Sequence, residues 1–228
     1  RFGKVQNEQA KIDLGPYGYA GQHQQTPVPL GGGRIKLDWF GRYIALPKFE
    51  EVVFSVDTGN KPKTINNPTA ISIFGRKKGS NEWLLIKVVK EHMAYPMLKN
   101  TMINLDADYR PDTVLIEDKA SGQSLIQDLG ENTQIPVEAV EPESNKITRM
   151  ESQIASLAAG RISLPDNAHI PAPWLASFET NLAHYPTPAE WDEIDTLSQF
   201  LKFLRKREEG PKIGTLPTGM TSASNWRM

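Results

Sequence analysis

The sequence predicts an α/β protein on one mixed sheet, its first three strands antiparallel and its later strands joined by parallel crossovers, flanked by helices. Three observations lead there. Short apolar runs stand at Val52–Val56, Thr69–Gly75, Trp83–Val89, Thr113–Ile116 and Ile135–Val140, each the length of a strand. The first three follow one another with only loops between them, whereas the later ones alternate with helical stretches. A long helical pattern then closes the ordered part of the chain.

Each element has its own local signal. Val52–Val56 runs into Asp57-Thr58-Gly59, a buried strand ending in a loop. Gly75–Asn81, with Arg76, Lys77, Lys78 and Gly79, makes the next two runs a hairpin. Pro96 suits the first turn of a helix reaching Asp106. Gly122–Leu129 reads as a second helix. Ser144–Ala159 is a third, with Ile147, Met150, Ile154 and Leu157 at helical spacing and Gly160 as terminator. Arg161–Leu164 adds a short strand and Trp174–Ala183 a further helix. Thr187-Pro188-Ala189-Glu190 combines an N-cap, a Pro at the first helical position and a capping-box Glu, predicting a last helix to Lys206.

Domain organisation follows from the same patterning. Residues 1–47 are rich in Gly, Pro and Gln and read as a connector, residues 48–206 as the folded domain, and residues 207–228 as a disordered tail. The chain opens on Arg1 without an initiator Met and reads as part of a longer protein.

Bulk composition excludes several classes. The 228 residues suffice for one sizeable domain, with 39% hydrophobic and 23% charged residues, ordinary values for a globular protein. With no cysteine there is no disulfide, thiolate metal site or Cys nucleophile. No apolar stretch reaches the roughly 20 residues that span a bilayer, so no membrane role is expected. The net charge of -1 does not advertise nucleic-acid binding, so any DNA contact must rest on local Lys and Arg. A cytoplasmic location is expected.

The acids carry the chemistry. Asp57 and Glu117 each end a strand, where α/β sheets bind ligands. Two such acids on adjacent strands repel unless a cation separates them, and Mg or Mn does so through hard oxygen ligands. Taken singly, Asp57 reads equally well as a turn residue. On the last helix, Trp191, Ile194, Ser198 and Leu201 form the inner stripe, with Leu197 and Leu204 at its flank, and Asp195 borders it. Asp192, three positions earlier, shares its face, whereas Glu193 is rotated about 200° away. An acidic first turn is also what a helix dipole favours, so Asp192 reads either as a helper ligand or as a solvated acid. Three carboxylates so placed suit a two-metal phosphodiesterase, with two divalent ions, Mg2+ or Mn2+, roughly 4 Å apart. His92, His169 and His184 show no ligand spacing.

These residues resemble a known family. Val114-Leu115-Ile116-Glu117-Asp118-Lys119-Ala120-Ser121-Gly122 resembles a motif of the C-terminal nuclease domain of large terminase subunits, and Trp191-Asp192-Glu193-Ile194-Asp195-Thr196-Leu197 resembles its late acidic motif. Phe54–Asp57 matches the first acid-bearing strand, Asn145–Arg149 the helix start after the fifth strand, and Tyr19–Pro27 the segment closing the ATPase domain. The likeness runs from about Gly18 to Leu204. It departs at Glu193, where Asp is commoner, and at Thr196, where Ala is usual.

The resemblance implies an RNase H/RuvC-like fold and metal-dependent cutting of concatemeric viral DNA during packaging in a bacterial host. It makes Asp57 the shared metal ligand, Glu117 the second and Asp195 the third. Implied partners are double-stranded DNA, the terminase ATPase domain, the small terminase subunit and the portal protein. The sequence has no Walker A motif, so no ATPase is expected within it. Expected DNA contacts are Lys61, Lys63, Lys119, Lys146 and Arg149, each also readable as a solvated surface charge. The rival readings are a RuvC or RNase H-like nuclease on branched or hybrid substrates and a catalytically weak docking module for portal or small-subunit proteins.

Overall fold

The computed structural model describes residues 33–59, 68–119, 121–141 and 145–210. Its single sheet has seven strands in the order β1-β7-β4-β3-β2-β5-β6. These are β1 (Gly41–Tyr43), β2 (Phe49–Asp57), β3 (Thr69–Lys77), β4 (Trp83–Glu91), β5 (Thr113–Glu117), β6 (Val137–Val140) and β7 (Ile162–Pro165). β2 and β4 pair antiparallel with β3, and β5 runs parallel to both β2 and β6, matching the expected scheme.

The helices are α1 (Tyr95–Tyr109), α2 (Ser121–Asn132), α3 (Lys146–Glu151), α4 (Ile154–Ala158), α5 (Leu175–Ala183) and α6 (Asp192–Glu209). Two apolar cores flank the sheet. Val52, Phe54 and Val56 of β2 and Val114 and Ile116 of β5 join Leu98, Met102, Leu105, Leu125 and Leu129 of α1 and α2. Val53 and Leu115 point the other way, to Met150, Leu157, Phe178, Ile194, Leu197 and Phe200. This period-two alternation therefore turns Ser55, Asp57 and Glu117 to the α6 face. Within that core Phe74 and Phe200 stack with ring centroids 3.8 Å apart.

The structure departs from the sequence-based expectations at three places. Over its described part, the expected connector is built into the sheet. Ile35, Phe40 and Tyr43 are buried, and β1 pairs parallel with β7, which in turn pairs with Trp83 and Leu84 of β4. A three-residue strand flanked by turns offers too short a pattern to read.

The expected helix over Ser144–Ala159 is two short helices. Ser152 Oγ donates to the Arg149 carbonyl at 2.7 Å, and Gln153 N donates to the Met150 carbonyl at 2.9 Å. A serine bonding its own backbone competes with the helical ladder and tightens the turn there.

The last helix starts at Asp192, not after Thr187, and no side chain caps it among the described residues. Thr187 N and Oγ1 both donate to the His184 carbonyl, closing a turn. Glu190 instead ion-pairs with Lys90, so the capping box never forms. At its other end α6 passes Lys206 and reaches Glu209, three residues into the expected tail.

Candidate active site

The register sets the two strand-end acids side by side. Val56 of β2 is opposite Ile116 of β5, so Asp57 and Glu117 are the next residues on neighbouring parallel strands, which lie about 4.8 Å apart. Helix α2 starts so close behind β5 that a Cβ on Gly122 would collide with the Glu117 carbonyl oxygen. That Gly is what lets the chain turn directly from the acid into the helix. Gly59 N donates to Asp57 Oδ1 at 3.1 Å, holding the other carboxylate at the mouth of its loop.

Helix α6 closes the site from above. Its residues Asp192 to Leu201 are all buried, including Asp192, Glu193 and Asp195. A carboxylate without water is destabilised in its charged form. Burial pushes Asp195 up to about 6, and Asp57 adds to the rise, while Lys146 and Arg149 pull against it. Asp192 is raised for the same first reason, burial, and again by Asp57. Asp57 is thus near enough to repel both Asp192 and Asp195.

Two cations from α3 enter this acidic cluster. Asn145 Oδ1 caps α3, accepting from the backbone N–H groups of Ile147 and Thr148 at 2.9 and 3.3 Å, and so aims its first turn. Arg149 then bridges two acids, with NH1 3.0 Å from Glu117 Oε1 and NH2 3.3 Å from Asp195 Oδ1. Lys146 ion-pairs with Asp195 Oδ2. Burial works to lower Lys146, but Asp195, Asp57 and Asp192 outweigh it and keep the ammonium charged to higher pH than usual.

Most of the expected site residues therefore meet. Asp57, Glu117, Asp192, Asp195, Lys146 and Arg149 form one cluster. Lys119 follows Glu117 on the exposed surface, and Lys61 and Lys63 lie outside the described residues.

Glu193 turns away from the cluster, as its rotation implied. It accepts from Asn181 Nδ2 at 3.0 Å and pairs with Lys90 Nζ at 3.4 Å. Lys90 escaped the sequence reading. Asp57 is opposite Ala70 and Ala70 opposite Lys90, so all three share one row across the sheet. The signal was present in the hairpin, but a bulge between Ile73 and Phe74 shifts the register and hides it. An open cleft of about 550 Å³ begins at this end of the row, lined in part by Lys90, Glu193, Trp174 and Pro173.

A divalent cation fits this donor set. Asp195 is buried with both oxygens ion-paired, Oδ1 to Arg149 and Oδ2 to Lys146, and Asp57, Asp192 and, across Arg149, Glu117 lie around it. Several carboxylates gathered in a buried setting are the hard oxygen donors that Mg2+ or Mn2+ coordinates, in place of the two side-chain cations. As the side chains stand, no three acidic or His groups among the described residues converge on one point, because Lys146 and Arg149 stand between them.

The sheet order, its parallel and antiparallel pairings and the flanking helices define an RNase H-like fold. No protein-family model and no curated protein matches the sequence. Solved structures that share the fold include large terminases and their nuclease domains. The large terminase of a thermophilic bacteriophage, in complex with ATP-gamma-S, matches with a TM-score of 0.53 at 15% identity, over 88% of this chain and 52% of that one. The present chain thus spans about half the length of that protein. The nuclease domain of the bacteriophage SPP1 large terminase, with bound Mn, gives 0.52 at 13% identity over 74% and 98%. The large terminase nuclease of thermophilic phage G20c, with bound cobalt, gives 0.51 at 12% identity over 76% and 98%.

Proposed function

We propose that this chain is the nuclease part of a viral terminase large subunit, a metal-dependent endonuclease that cuts concatemeric DNA during genome packaging. The observation that carries this reading is the buried Asp195 of α6, raised to about 6 and facing Asp57 and Glu117 at adjacent strand ends. So many carboxylates gathered in so little water are costly unless a cation completes them. Asp57, Glu117 and Asp195 would hold the metal, with Asp192 as a further ligand. When bound, two divalent ions, Mg2+ or Mn2+, would supply an activated water and stabilise the leaving oxygen of an in-line displacement.

The protein's own groups do the rest. Strand register fixes the backbones of Asp57 and Glu117 and the buried helix that of Asp195, and their side chains would close on the metal once Lys146 and Arg149 give way. Lys146 and Arg149, released from Asp195 and Glu117 by the metal, would hold the non-bridging oxygens of the scissile phosphate, Arg149 by its two-pronged fork. Lys119, Lys61 and Lys63 would contact flanking phosphates of double-stranded DNA, independently of sequence and sensitively to salt. The terminase ATPase domain, small subunit and portal would present that DNA, in the cytoplasm of a bacterial host.

The test is nicking of supercoiled plasmid with and without Mn2+. Asp57→Ala and Asp195→Ala should each abolish Mn-dependent nicking, a loss of at least about 10³-fold, while far-UV circular dichroism stays unchanged. Wild-type rates in either variant would remove the assignment. Preferential cutting of branched DNA or RNA–DNA hybrids over linear duplex would instead place the chain among resolvases or RNases H.

A further inference from the structure

The turn of α6 that carries Asp192 and Asp195 is a helix start that no side chain caps among the described residues. The turn is nonetheless held, and the holding groups are three hydroxyls inside the apolar core. Ser55 and Ser72 are fully buried and Thr196 is 1% exposed. Ser55 Oγ donates to the Thr196 carbonyl at 2.8 Å. Ser72 Oγ lies 2.7 Å from Thr196 Oγ1, which itself donates to the Glu193 carbonyl at 2.8 Å. With the Thr196 proton committed to Glu193, Ser72 is the donor of that pair.

Hydroxyls are unusual choices for such a place, since each must be fully partnered to avoid a desolvation cost, and a methyl would fill the space without that condition. Their position explains them. Ser55 precedes Asp57 by two residues on the same strand and face, and Thr196 follows Asp195 directly. The Ser55 bond therefore ties the strand of one acid to the helix turn of another, within two residues of each. Ser72 adds a second tie from β3, and Gln199 Nε2 a third, donating to the Leu115 carbonyl on the strand of Glu117 at 3.0 Å.

We infer that Ser55, Ser72 and Thr196 are positioning residues that set the separation between Asp57 and the Asp192–Asp195 turn, and thereby the affinity of the site for a divalent cation. The inference rests on the metal-dependent reading above. Apolar packing sets the overall seat of the helix, and directional hydrogen bonds tighten its height and rotation at the turn that carries the acids.

The test uses the full chain and Mn2+ as the probe. Ser55→Ala combined with Ser72→Ala removes both strand-side donors and orphans nothing, because the Thr196 carbonyl keeps its helical partner and Thr196 Oγ1 keeps Glu193. Calorimetric titration should show Mn2+ binding weakened about tenfold, as when groups that orient metal ligands are removed. The Mn2+ concentration for half-maximal nicking should rise in parallel, and the rate at saturating Mn2+ should fall far less. Thr196→Ser, which keeps the hydroxyl, should bind Mn2+ as the wild type does. Should the double variant fold poorly, Ser55→Ala alone gives the same readout at smaller size.

Wild-type Mn2+ affinity in the folded double variant, with Asp57→Ala still abolishing binding, would overturn this inference and leave the nuclease reading standing. A wild-type chain that neither binds Mn2+ nor nicks DNA would remove both.

Discussion

The two faces of the sheet are built differently. Against α1 and α2 the strands present Val52, Phe54, Val56, Ile71, Ile73, Val114 and Ile116, an all-hydrocarbon surface. Against α6 the same strands present Val53 and Phe74 but also Ser55, Asp57, Ser72 and Glu117, and the helix answers with Asp192, Asp195, Thr196 and Gln199. The first face needs only volume and hydrophobicity to hold. The second needs every polar group matched, and its matching is what places the chemistry. In the proposed reading, stability and function are divided by the pleat, with successive residues of β2 serving one and then the other.

Substitutions on the two faces should separate these roles. The largest change in stability is expected from Phe54→Ala on the apolar face, where the ring is fully buried and meets Tyr109 edge-on at 6.2 Å. A loss of about 3–5 kcal/mol by urea denaturation is expected, with the Mn2+ dependence of nicking unchanged at temperatures where the variant is folded. Altered Mn2+ dependence would show that the faces are not independent.

Arg149→Met on the polar face should come next. It strips the shared partner from Glu117 and Asp195, and breaking such a partly buried pair costs about 3 kcal/mol in the metal-free protein. Added Mn2+ should recover much of that loss, whereas it should recover nothing in Phe54→Ala. A metal-insensitive Arg149→Met would mean that the arginine serves packing alone.

The pH dependence sharpens the contrast further. Asp195 is raised from 3.8 to about 6, chiefly by burial. The folded state therefore binds the extra proton, and stability from this group is present below about pH 4 and lost as pH rises through 6. Asp195→Asn does not titrate. Its melting temperature relative to wild type should climb as pH goes from 4 to 7 in metal-free buffer and stay level above that. A difference that is flat with pH would place Asp195 in a wetter setting than the structure shows.

The smallest effect belongs to the outer surface of the apolar side. Lys99→Met removes a part-buried ion pair with Asp128, 2.7 Å long, and leaves Asp128 its bonds from Tyr95 and Asn132. Melting should stay within about 2 °C of wild type and nicking should not change.

Much of this site was legible in the sequence because its acids sit where local patterns end. Asp57 and Glu117 stand directly after apolar runs, so strand ends and acids are found together. Asp192 and Asp195 share a helix face by spacing alone. The helix start was misread for a related reason. Thr187-Pro188-Ala189-Glu190 has the composition of a capping box, but Glu190 is taken by Lys90 from a distant strand, and no local rule foresees that competition.

The sequence by itself determined the α/β class, the order of strands and helices from β2 onward, and which acids gather at the strand ends. Those depend on residues close along the chain, whose period of two or 3.6 decides which way each side chain points. The tertiary structure decided what surrounds the acids. Arg149 reaches Glu117 across 32 positions and Ser55 reaches Thr196 across 141. Such pairs exist only once β2, β5, α3 and α6 are packed together, because their geometry is set by strand register and helix height. Local periodicity carries no record of either.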